Sequence, residues 1–256
     1  MALKERDLII NLLLRGGKRI SILCYGGQGG GKKHRAGLLD LGYMLKMELA
    51  QSKRNTSSGT NHLVTAREWS PVWIHQKLRH NHRAYYLLII YLDLAKRLSV
   101  EENLNDPNAD DDQEQVGIFT VLSNALFQLE RVCSNMEAEL LAEKHLLFFL
   151  VKLIHYTGIY PDVEHCLECN SLLGEVKGGV DFRVEQGGFV CHSCQVESYS
   201  EWGHDIWSSL KGVASTSYSD IDQWKQNRVA LPVLEIIYRY LGFHHNLRLP
   251  ALQLAP

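Results

Sequence analysis

Cys166-Leu167-Glu168-Cys169, answered by Cys191-His192-Ser193-Cys194, is the stretch that decides how the second half of this chain is built. Two residues between cysteines let a tight knuckle turn both sulfurs toward one ion. Two such pairs supply the four thiolates of a closed tetrahedral zinc site. With no position left open for water, that site is structural rather than catalytic. Between the knuckles, Gly174, Gly178, Gly179, Gly187 and Gly188 punctuate the alternating run Val180, Phe182, Val184. This predicts a hairpin that returns the second knuckle to the first. Two disulfides are the competing reading, but residues 1–14 carry charges within their apolar run and do not resemble an export signal. His165 and His192 adjoin the knuckles and are alternative ligands, whereas Cys24 and Cys133 have no partner spacing and are expected to be buried, inert thiols.

On both sides of the cysteines the periodicity is helical, so the finger, at about residues 162–200, is an insertion. Upstream, residues 74–100 are rich in Leu, Ala, Lys and Arg and free of Gly and Pro, which predicts a helix. An acidic loop follows, with Pro107, Asp110, Asp111 and Asp112. Ile118, Val121, Leu122, Ala125, Leu126 and Leu129 then recur at helical spacing. Residues 137–156 are apolar almost all round and should form the most buried helix, ending at Gly158. Downstream, helices are expected over 205–213 and 220–241, the latter capped by Ser219 with Asp222 and ended by Gly242.

The first 70 residues read differently. An apolar run at 8–14, Gly16-Gly17, and Ile20, Ile22 and Cys24 on one face predict a hairpin. Strands are expected again at 43–49, which alternates, and at 62–69. Four strands with one long basic loop describe a small twisted barrel. The chain therefore reads as α+β: an OB-fold-like β-barrel over 1–70, then an α-helical domain over 71–256 carrying a four-cysteine zinc finger insertion.

Charge is distributed unevenly along the chain. Residues 1–69 hold 12 Lys and Arg against 5 Asp and Glu, a balance of +7, while the remainder holds 15 against 24, a balance of −9. The first segment is suited to a polyanion. Its cations are Lys32, Lys33 and Arg35 in the loop Gly26-Gly27-Gln28-Gly29-Gly30-Gly31-Lys32-Lys33-His34-Arg35, with Arg15, Lys18 and Arg19 on the neighbouring hairpin. Glycine amides approach a phosphodiester closely while the cations neutralise successive charges, so such a surface is expected to bind a polymer of phosphates without reading sequence. Tyr25, Tyr43 and Trp69 offer stacking faces for unpaired bases.

Gly26 to Lys32 also fits seven positions of a phosphate-binding P-loop, and 87–93 imitates the strand and aspartate that complete such a site. Lys33, however, stands where a Ser or Thr should ligate magnesium, and an ammonium there repels the ion. A nucleotide hydrolase using Gly26 and Lys32 is therefore a secondary reading. A zinc-ribbon adaptor for RNA or protein is another.

Several of these residues together resemble the RecO family of bacterial DNA repair proteins. They are Leu3-Lys4-Glu5-Arg6-Asp7-Leu8-Ile9, the basic loop 26–35, Leu39-Asp40-Leu41-Gly42 leading into a strand, and Cys-x-x-Cys pairs inside a helical domain. The resemblance implies an N-terminal OB-fold, binding of single- and double-stranded DNA and annealing of complementary strands. It also implies partnership with RecR and with the C-terminal tail of single-strand binding protein to load a recombinase. DNA contact carries over to Lys32, Lys33 and Arg35. The family's barrel begins with a strand ahead of the position of Ala2, so the expectation is either that the start codon is placed late or that the barrel edge is completed otherwise. The expectation is a cytoplasmic, nucleoid-associated recombination mediator with structural zinc, no enzymatic turnover and no membrane.

Overall fold

Alternation in two short apolar runs sets the first sheet. Strands β1 (Ala2–Lys4), β2 (Asp7–Leu13), β3 (Arg19–Cys24), β4 (Met44–Ala50) and β5 (Val64–Trp73) pair in the order β1-β2-β3-β5-β4. Only the β3 and β5 pairing is parallel among the described strands of this sheet. Ile20, Ile22, Cys24, Ala66 and Trp69 form the core of this OB-fold-like sheet, flanked by Ile10, Leu12, Leu14, Leu39, Met47 and Val64. The structure, a computed structural model, describes residues 2–4, 7–27, 39–50, 64–102, 116–135, 139–195, 200–225, 228–252 and 254. The chain divides into two compact units, Met1–Gln76 with Leu92–Phe119, and Lys77–Tyr91 with Thr120–Pro256.

Five strands stand where four were expected, because Ala2–Lys4 folds back along β2, pairing Ala2 with Leu8 and Lys4 with Asp7. That short strand completes the sheet edge. β5 also runs past Pro71 to Trp73, and the expected helix over 74–100 is correspondingly shorter. Two register shifts explain β5. Glu48 pairs with Glu68 and Leu49 with Ala66, so Arg67 is an extra, bulged residue, which lets Ala66 and Trp69 both face the core. A second shift near Leu45 and Pro71 places the proline, which has no N–H to give, where the ladder is already irregular. Trp69 is thereby committed to the core and offers no stacking face, which corrects that expectation, whereas Tyr25 is 58% exposed.

After β5 the chain passes His75, at a left-handed φ of 41°, and a 3-10 turn, Gln76–His80. Asn81 then caps α1 (His82–Leu98), its Oδ1 accepting the Ala84 N–H at 3.1 Å. Residues 87–93 are part of this helix, and Asp93 pairs with Arg97 at 2.7 Å. The strand that a P-loop site would need is therefore absent there.

α2 (Val116–Ser134) and α3 (Ala142–Tyr156) follow, with α3 buried on nearly every side, as its composition predicts. It starts at Ala142 rather than at 137. α4 (Gly203–Ser215) and α5 (Leu231–His244) complete the helical unit. The expected helix over 220–241 is two elements, a 3-10 turn, Tyr218–Gln223, and α5. Pro232 explains the break, since proline is tolerated in the first turn of a helix and not in its interior. Gly242 is not the terminator. Asn246 takes the left-handed φ of 52°, Leu247 N–H returns to Gly242 O at 2.8 Å, and Gly242 is small because Leu247 O and Leu249 press on it.

Candidate metal centre and nucleic-acid interface

The finger is a three-stranded sheet, β6 (Asp162–Cys166), β7 (Val180–Arg183) and β8 (Gly188–Cys191), in the order β6-β8-β7. The expected hairpin is the antiparallel β7 and β8 pair, joined at Gly187, whose φ is 72°. Each cysteine pair follows the end of a strand. β6 delivers Cys166, and Asn170, at a φ of 58°, turns the chain so that its N–H reaches Cys166 O at 3.0 Å. β8 delivers Cys191, and a single 3-10 turn, His192–Cys194, brings Cys194 round.

The four sulfurs of Cys166, Cys169, Cys191 and Cys194 all lie within 4.8 Å of one another. Cys169 Sγ and Cys191 Sγ are 3.7 Å apart. A metal–sulfur bond of about 2.3 Å in a tetrahedron implies sulfur–sulfur edges of about 3.8 Å, whereas a disulfide needs about 2.05 Å. The spacing fits a tetrathiolate metal and rejects the disulfide reading. Cys191 N–H points at Cys166 Sγ at 3.3 Å. Burial pushes the Cys166 thiol up, but amides of Cys169, Cys191 and Glu168 outweigh it and hold the thiol below its ordinary value. Ser171 lowers Cys169 to about 6, and the thiol of Cys194, bonded to Cys169 and Cys191, is pushed up to about 12. His165 turns instead to Asp162, Nδ1 to Oδ2 at 3.2 Å.

Behind the cysteines the finger has a core of its own. Val180, Phe182, Val184, Phe189, Val190 and Leu173 are buried, with the Phe182 and Phe189 rings 4.8 Å apart. That core is continuous with the helices. Phe182 meets Tyr240 of α5 at 5.2 Å, and His244 Nε2 donates to Val184 O at 2.8 Å. Trp207 Nε1 of α4 donates to Val163 O at 2.7 Å, and Lys211 pairs with Glu164 at 2.9 Å. Gly203 lies so close to β7 that an added Cβ would sit 2.0 Å from Val180 O.

On the barrel sheet, the turn between β2 and β3 is Arg15-Gly16-Gly17-Lys18, with Gly17 at a φ of 83°. Arg15 is exposed at its tip. Lys18 lies 4.0 Å from Glu102, and Arg19 lies 3.7 Å from Glu101. Arg15 and Lys18 thus share the turn, and Arg19 opens β3 beside it. Lys32, Lys33 and Arg35 lie outside the described residues. The root of their loop is described: Gly26 N–H donates to Asp7 Oδ1 at 3.0 Å, and Gly27 is pressed between Leu8 and Leu39.

One further site was not found by sequence reasoning. A cavity of about 330 Å3 in the helical unit is lined by Arg131, Asn135, Glu139, Lys144, His145 and Asp222, among others. Lys144 and His145 sit at the start of α3 on an apolar background, and both are buried. Lys144 Nζ donates to Trp224 O at 2.9 Å. Arg131 pairs with Asp222. Burial lowers the pKa of His145 to about 4. Only the tertiary fold brings these residues together from α2, α3 and the turn before α5. Adjacent polar residues inside an otherwise apolar helix were the signal that could have found them.

No described helix is long and apolar enough to cross a membrane. Over 44 residues, 17% of this chain and 16% of the relative, the sequence is 39% identical to the DNA repair protein RecO of Bacillus velezensis. The aligned stretch thus spans about a sixth of that relative's length. The model of the family described as Recombination protein O C terminal matches residues 106–249, which hold α2 to α5 and the finger. That match covers more than half of the chain, and the protein therefore belongs to the recombination protein O, or RecO, family.

Proposed function

We propose that this protein is a recombination mediator in DNA repair, acting at the nucleoid in the bacterial cytoplasm and without chemical turnover. A nucleic-acid-binding domain over 1–70 holds single- and double-stranded DNA on its basic face and lets complementary strands anneal. The helical domain over 71–256 engages RecR and the tail of single-strand binding protein, so that recombinase is loaded on coated DNA.

The observation that carries this reading is the pairing of a +7 segment, with Arg15 exposed at a hairpin tip of an OB-fold-like sheet, to a helical part of the recombination protein O family. Annealing without nucleotide is physically sufficient. A cationic surface screens the repulsion between two phosphate backbones, and base pairing supplies the driving force. Arg15, Lys18, Arg19, Lys32, Lys33 and Arg35 are the proposed DNA contacts.

Zinc is the proposed ion of Cys166, Cys169, Cys191 and Cys194, since four thiolates at tetrahedral spacing are its usual structural ligand set. Its chemistry is to staple the two knuckles, with no step of the annealing reaction passing through it.

The test is annealing of complementary oligonucleotides by the purified protein without nucleotide, with and without saturating single-strand binding protein. Acceleration in both conditions is expected. Steady phosphate release from ATP, abolished by Lys32→Ala, would favour a hydrolase instead. Binding lost only when the finger is disrupted would favour a zinc-ribbon adaptor.

A further inference from the structure

Lys18 and Arg19 do not stand free beside Arg15. Past α1 the chain returns along the start of β3: Arg19 N–H donates to Val100 O at 2.7 Å, and Glu102 N–H donates to Arg19 O at 2.8 Å. This parallel bridge aligns Arg19 with Glu101. It sets Glu101 Oε2 3.7 Å from the Arg19 guanidinium and Glu102 Oε1 4.0 Å from Lys18 Nζ. Ser21 Oγ adds a hydrogen bond to Glu101 Oε1 at 3.4 Å. Arg15, three residues earlier on the same hairpin, is exposed and meets no partner among the described residues.

We infer that Glu101 and Glu102 are an intrachain competitor for the phosphate backbone, masking Lys18 and Arg19 until DNA displaces them. The inference rests on the DNA-binding reading above and adds its regulation. The two ion pairs are long and partly exposed, so they contribute little to stability. Main-chain hydrogen bonds, not carboxylates, hold the segment in register. The charges are thus spare for the fold. They are also tethered beside the cations at an effective concentration that a passing phosphate must overcome.

The test is titration of a labelled oligonucleotide, read by fluorescence anisotropy over a range of salt. The chains compared are the full protein, its Glu101→Gln/Glu102→Gln variant, a Lys18→Ala/Arg19→Ala variant, and all four substitutions together. Removing the two carboxylates should raise affinity roughly 3- to 10-fold near physiological salt and steepen the slope of log affinity against log salt by about 1.5, for two further phosphate contacts. The gain should vanish when Lys18 and Arg19 are alanine. Each single Gln substitution should give about half of the slope change, which keeps the test open if the double variant folds poorly. Wild-type binding with unchanged affinity and slope in the Gln variant overturns the inference alone. So does a gain that persists without Lys18 and Arg19, because it would reflect net charge. Absence of DNA binding in every form overturns this inference and the DNA-binding reading together.

Discussion

The finger and the basic hairpin are both strand–turn–strand units, yet they hold their functional side chains in opposite ways. In the finger, strand ends and backbone amides converge four sulfurs to within 4.8 Å, over a core of Phe182 and Phe189. On the hairpin, Arg15 projects from a turn, and the charged ends of Lys18 and Arg19 meet carboxylates at 3.7 to 4.0 Å. On the proposed function, the difference follows from what each would bind. A metal tolerates an error of a few tenths of an ångström, whereas a polyanion responds to summed charge and needs no fixed geometry. Single substitutions should therefore be severe in the finger and graded on the hairpin.

The largest effect is expected from metal loss. Chelation, or Cys166→Ser with Cys191→Ser, should remove the proposed zinc and cost the helical unit more than about 5 kcal/mol, because the finger core is shared with α4 and α5. Zinc content and thermal unfolding check this. An unchanged midpoint would mean that the apolar core suffices without the ion.

Gly203→Ala comes next. Its Cβ would strike the Val180 carbonyl, a backbone atom that cannot rotate away, so a loss of about 3 kcal/mol is expected in denaturant unfolding. Zinc affinity should fall with it if β7 is pushed aside.

A smaller effect belongs to His145. Burial lowers its folded pKa to about 4, below the ordinary value of about 6.5. Between those values the unfolded chain binds a proton that the folded chain does not. Stability from this group is therefore fully present above pH 6.5 and is lost as pH falls toward 4. About 2 kcal/mol should disappear between pH 7 and 5, and His145→Gln should flatten that part of the stability profile. A parallel shift of the whole profile would contradict it.

What was legible in the sequence follows the same division. The four-cysteine cluster, the β7 and β8 hairpin and the most buried helix were readable because covalent spacing and local periodicity determine them. The expected helix over 220–241 differs from the structure because its apolar spacing continues across Pro232, which marks the start of α5. Strand β5 runs beyond the expected end at 69 because an irregularity, not visible in the alternation, accommodates Pro71. The finger's dependence on helix packing escaped notice, since Tyr240 and His244 lie far along the chain from Phe182 and Val184. Likewise the partners of Lys18 and Arg19 come from Glu101 and Glu102, more than 80 positions away.

The central claim is that DNA is held by the cations of the N-terminal segment rather than by the finger. It is tested most directly by the salt dependence of oligonucleotide binding after Lys32→Ala, Lys33→Ala and Arg35→Ala, in protein whose zinc content is unchanged. The account predicts weaker binding, with a slope of log affinity against log salt shallower by about 2 to 3. Affinity and slope equal to the parent protein's would contradict it.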